Sequence, residues 1–154
     1  MPRSMRNATL ASLLAAAAML AGLPARADVL ATSTRGTNIT TVGLLPLNEA
    51  GNTAVAFTTT ADRQKVVITY NADCYTGGPL YVSITVDGAA TYPRSGGILL
   101  CTSNGGGLFE FTPAIRQVVY TPPKKGTHYV SVTTRFVGAS FSFDLRNTSL
   151  VVMK

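Results

Sequence analysis

The stretch Leu80 to Asp87, Leu-Tyr-Val-Ser-Ile-Thr-Val-Asp, alternates apolar and polar residues without a break. A helix would scatter residues at this period around its whole circumference. A strand puts Leu80, Val82, Ile84 and Val86 on one face and Tyr81, Ser83, Thr85 and Asp87 on the other. The stretch is therefore predicted to be a strand with one dry and one wet face, and its dry face has to be covered by a second layer. Asp87-Gly88 supplies the positive φ angles of a tight hairpin turn, which returns the chain through Ala89 to Tyr92.

The same period recurs along the chain. Thr53 to Thr60 sets Val55 and Phe57 on one face, Asp62-Arg63 reads as a polar turn, and Lys65 to Asn71 turns Val66, Ile68 and Tyr70 inward. Short strands are expected at Ile98 to Thr102, at Leu108 to Phe111 and at Ile115 to Tyr120, the last two separated by Pro113. The glycine triplet at 105–107 forces a turn between the first two of these. His128 to Val137 is a longer strand, with Val130, Val132 and Phe136 on one face and Tyr129, Ser131, Thr133 and Arg135 on the other. Phe141, Phe143 and Leu150 to Val152 complete the set. Nearer the start, Asp28 to Ala50 is loosely patterned, and Thr37 to Leu45, ended by Pro46, is the expected first strand.

Twenty of the 127 residues after Ala27 are threonine, a β-branched residue that suits a pleated surface, and no segment keeps a convincing helical period. Eight or nine short strands with a turn signal about every 8 to 12 residues predict an all-β fold, an antiparallel two-sheet β-sandwich of jelly-roll type. Residues 28–52 form its loosely patterned first segment and residues 53–154 the sandwich proper.

Residues 1–27 have the three parts of an export signal. Arg3 and Arg6 are the positive start, Ala8 to Leu23 is an apolar run, and Ala25-Arg26-Ala27 is a small-x-small cleavage pattern. The run of 16 residues is shorter than the roughly 20 a bilayer-spanning helix needs, so cleavage is expected and no membrane span remains after it. The expected location is secreted or periplasmic. In such a compartment Cys74 and Cys101, an even pair, are expected to form a disulfide.

Charge excludes one class of partner. The whole chain carries +6, but three of its 13 basic residues lie in the export signal, leaving 10 basic against 7 acidic, or +3, scattered rather than clustered. Nucleic acid is therefore not an expected partner.

A resemblance adds to this reading. The order FTTTADRQKVVITYNADC, then VSITVDG, then PPKKGTHYVSVTTRF and the closing NTSLVVMK resembles small secreted bacterial and phage-associated jelly-roll domains, distantly similar to the C1q and tumour-necrosis-factor type, over about residues 53–154. Gly126-Thr127-His128-Tyr129-Val130-Ser131-Val132 and Ser149-Leu150-Val151-Val152 carry it. The resemblance implies architecture, self-association often as trimers, and surface binding, mostly without an assigned activity.

Catalytic and cofactor signals are absent. There is no Gly-x-Ser-x-Gly elbow, the glycine triplet lacks the residues of a phosphate loop, and two cysteines with the single His128 do not make a metal-ligand spacing. His128 opens an alternating strand and is expected to cap a core edge. No cofactor is expected. The one binding signal is that Tyr81, Tyr129 and Arg135 all fall on the wet phase of the two best strands, an unusual place for large rings. If the strands are neighbours, these side chains form a surface for a glycan, another extracellular protein or a second subunit. The expectation is thus a non-catalytic exported interaction or structural protein, with a carbohydrate-binding module as the alternative.

Overall fold

The computed structural model describes residues 27–91, 97–102, 111–137 and 142–154. The export signal (except Ala27), the glycine triplet, the stretch 108–110 and Phe141 lie outside them. Among the described residues ten strands are found: β1 Val29–Arg35, β2 Gly43–Leu44, β3 Val55–Thr59, β4 Val66–Thr76, β5 Leu80–Val86, β6 Ala89–Ala90, β7 Ile98–Cys101, β8 Thr112–Tyr120, β9 Gly126–Phe136 and β10 Phe143–Met153. They form an antiparallel two-sheet sandwich of jelly-roll type. One sheet runs β1-β10-β4-β8; the other runs β2-β9-β5-β6, with β3 also paired to β9 and β7 to β5.

Period-two patterning decides which side chains meet between the sheets. Val66, Ile68, Tyr70, Ala72 and Cys74 of β4 face Leu80, Val82, Ile84 and Val86 of β5 and Val130 and Val132 of β9 in one buried cluster. Phe136 packs on the rim of this core as a half-buried residue. Cys74 and Cys101 are bonded, Cα to Cα 6.5 Å, and because β4 and β7 belong to different sheets the bond pins the two layers together.

Three details differ from the sequence reading. The first strand is Val29–Arg35, not Thr37–Leu45; the later segment gives only an Ile39–Leu145 bridge and the two residues of β2. A bulge at Leu30 breaks the alternation of β1, which hid it. Next, β8 runs straight through Pro113, near its start and at the edge of the sheet, the places in a sheet where proline is tolerated. Finally, the segments around Phe143 and Leu150 are one strand, β10. A bulge at Asn147, φ 48°, switches its inward phase from Phe143 and Leu145 to Thr148, Leu150 and Val152. The Asp87-Gly88 turn forms as expected, with φ of 50° and 76°.

Candidate functional site

β5 and β9 are direct neighbours, and their register pairs Tyr81 with Arg135, Ser83 with Thr133 and Thr85 with Ser131 on the outer face of the six-stranded sheet. The next rung brings Asp87 to Tyr129, whose carbonyl accepts the Asp87 N–H at 2.9 Å. The wet phase of the two strands is therefore a ladder: two hydroxyl pairs in the middle and an aromatic ring at either end.

The ends are built differently. At one, the Arg135 guanidinium lies over the Tyr81 ring, 5.2 Å from its centroid, so the ring is half covered by its own cross-strand partner. At the other, Tyr129 is 54% exposed, since its neighbour across β3 is only Ala56. Six residues along β9 separate Tyr129 from Arg135, roughly 20 Å of extended strand. The structure thus brings Tyr81 and Arg135 together and sets Tyr129 on the same face at a distance. No small ligand touches both rings. Beside Tyr81, a notch of about 230 Å³ opens at the edge of β5, lined in part by Ser83, Thr85, Thr91 and Gly97.

A polar cluster that sequence reasoning missed anchors the Tyr129 end. His128 is 7% exposed and packs its ring against Phe57, centroids 5.4 Å apart. Its Nδ1 lies 2.7 Å from Asp87 Oδ2 and its Nε2 3.0 Å from the Lys124 carbonyl oxygen. Asp87 Oδ1 accepts the Tyr129 N–H at 2.9 Å. Burial alone would raise the Asp87 carboxyl, but the His128 hydrogen bond, the Tyr129 amide and the charge of His128 outweigh it, and the group is held below the usual carboxylate range. Asp87 is 41 residues from His128 in the chain, so no local motif announces the pair. The only available signal was topological: antiparallel pairing of β5 with β9 must lay the end of one beside the start of the other.

Thr59 Oγ1 lies 3.3 Å from His128 Nε2, which gives the outline of an Asp-His-hydroxyl triad. The chemistry does not follow. Thr59 is 2% exposed and His128 7%, so no substrate reaches the hydroxyl, and Nε2 lies closer to the Lys124 carbonyl, at 3.0 Å, than to Thr59. The cluster holds the hairpin turn, the loop at 122–126 and the start of β9 together. Among the described residues no three His, Cys, Asp or Glu side chains gather as metal ligands, and no helix is long and apolar enough to cross a membrane.

No family model matches the chain, and no curated protein does. Among solved structures, the C-terminal domain of EclA, a sugar-binding protein, is similar at 12% identity and a TM-score of 0.44, covering 84% of this chain and 83% of that one. The VP2 subviral particle of infectious bursal disease virus is similar at 14% identity and a TM-score of 0.42; the match covers 84% of this chain, which spans about a third, 33%, of that protein. CBM35 from Paenibacillus barcinonensis is similar at 13% identity and a TM-score of 0.35, over 82% of this chain and 97% of that one.

Proposed function

We propose that this protein is a non-catalytic interaction protein that works outside the cytoplasm, exported by residues 1–27, and that it meets its partner through the outer face of β5 and β9. The observation that carries the reading is the rigid presentation of Tyr129. Its ring is exposed while its backbone is clamped by Asp87 on one side and paired with β3 on the other. An exposed ring on a pre-ordered strand loses little entropy when it binds, and tyrosine is enriched at recognition surfaces for that reason. Arg135 stacked on Tyr81 adds a cationic, planar element at the far end of the same face.

The alternative, a carbohydrate-binding module, is favoured by the two hydroxyl pairs between the rings, Ser83 with Thr133 and Thr85 with Ser131. The roughly 20 Å span between the ends of the ladder would suit an extended glycan chain rather than a single sugar.

Glycan arrays and sedimentation on the exported protein separate the two. Glycan capture by wild type that is lost in Tyr129→Ala supports the module. Capture of an extracellular protein that Tyr129→Ala abolishes, with no glycan signal, supports the interaction protein. Capture of either kind that survives both Tyr81→Ala and Tyr129→Ala removes this face from consideration.

A further inference from the structure

The outer face of the four-stranded sheet breaks the rule that the other sheet obeys. The registers of β8, β4, β10 and β1 align Val119, Val67, Met153 and Val29 in one row across all four strands. The next two rows add Val151 and Ile115; the six remaining positions are uncharged Thr, Asn, Ser and Gln. Twelve side chains on a sheet face thus include six apolar ones and no charge, although the chain has 20 charged residues. Val29 is 58% exposed, Ile115 60% and Val119 38%. Charge begins where the face ends: along β4 the next positions of the same phase are Lys65, two residues before Val67, and Asp73, two residues after Asn71, which accepts from the Asn147 side-chain amide at 2.8 Å. Asp28 pairs with Lys154 and Asp144 with Arg146 at the same two ends, each at 3.0 Å. An uncharged face with one apolar row running across all four strands resembles an interface more than a solvated sheet.

We infer that this face is where a second copy of the chain docks, sheet on sheet. It lies on the opposite side of the sandwich from Tyr81 and Tyr129, so it stands or falls separately from the function proposed above. Charge selects the occupant. After loss of residues 1–27 the chain keeps a net charge of +3 and repels itself wherever basic groups face each other, and a two-fold axis presents every patch to its own copy. A face with neither sign is self-complementary, whereas an acidic or basic partner would find nothing on it to pair with. Size agrees. Four strands about 4.8 Å apart and three rows with their rim cover on the order of 600 Å² per copy, or about 1,200 Å² for the pair, the lower end of specific interfaces. The flat, twisted sheets would meet about 10 Å apart, as sheets do inside a sandwich, and an association of that size is weak and reversible.

Sedimentation of the exported protein from about 1 to several hundred micromolar tests this, a range that brackets a micromolar dissociation constant. The expected result is a monomer–dimer equilibrium that Ile115→Glu and Val119→Glu each weaken at least tenfold, and that Thr127→Glu on the other sheet leaves unchanged. Circular dichroism and melting confirm that the variants fold, as expected for exposed positions on an edge strand. A protein that stays monomeric throughout the range, or a dimer indifferent to both glutamates, overturns the inference. So does a monomer that binds glycan or lipid vesicles through this face, with binding lost in Ile115→Glu.

Discussion

Asp87 Oδ2 lies 2.7 Å from His128 Nδ1, joining the turn after β5 to the first residues of β9 through the protein's single histidine. The carboxyl is held low in the fold, so its contribution to stability is fully present above the unfolded carboxylate value and is lost as pH falls through the lower, folded one. Wild type should therefore lose stability in acid. Asp87→Asn should be less stable than wild type at pH 7, and the gap should close as pH falls below about 3 to 4. Melting temperatures from pH 2 to 7 check this; a gap that widens in acid would mean that another group controls the transition.

The phase of β9 predicts a sharp contrast between adjacent positions. Val132 has no exposed surface, and Val132→Asp would bury an unpaired carboxylate, a change that should prevent soluble folding. Thr133 points outward opposite Ser83, and Thr133→Asp should shift stability by less than about 1 kcal/mol. Soluble yield and melting of the two variants would read this directly.

Truncating the two tyrosines should have unequal effects. Tyr129→Ala removes a ring that is mostly in water and should change stability by about 0.5 kcal/mol or less while abolishing partner capture. Tyr81→Ala also strips the Arg135 guanidinium of the ring beneath it and should cost about 0.5 to 1 kcal/mol more. Denaturant titrations measure both.

Reduction of Cys74–Cys101 releases a link spanning 27 positions and should lower stability by about 3 to 4 kcal/mol on chain entropy. The intact mass of the exported protein should correspond to residues 28–154 less two hydrogens. Two alkylatable thiols without reductant would contradict this.

How far the sequence could be read depended on burial. β5 was legible because its inward phase is buried throughout while its outward phase stays polar, and the core half of β9 followed for the same reason. β1 was illegible because it lies at a sheet edge, is only half covered and carries a bulge, so no clean period survives. The buried Ile39 and Leu45 mimicked a strand over Thr37–Leu45, although most of that segment is held by isolated hydrogen bonds and side-chain packing. The rings of Tyr81 and Tyr129 could be assigned to the wet phase, but their separation and the Arg135 stack needed the cross-strand register. The His128 cluster needed contacts across 41 and 69 positions, which no pattern in a short window records.

The pairing of Asp28 with Lys154 has a mechanical consequence. Their backbones exchange hydrogen bonds in both directions, and the side chains add an ion pair, so β1 and β10 end together at one corner of the molecule. Antiparallel ladder bonds run across the strands, and a force drawing these two residues apart loads the bonds singly, peeling β1 from β10 like a zip instead of shearing the whole ladder at once. Cys74, bonded to Cys101 of β7, sits towards the far end of β4, beyond the opposite end of that zip. Stretched from this corner, the domain yields early and gently along β1, while the bonded segment between the cysteines cannot be drawn out.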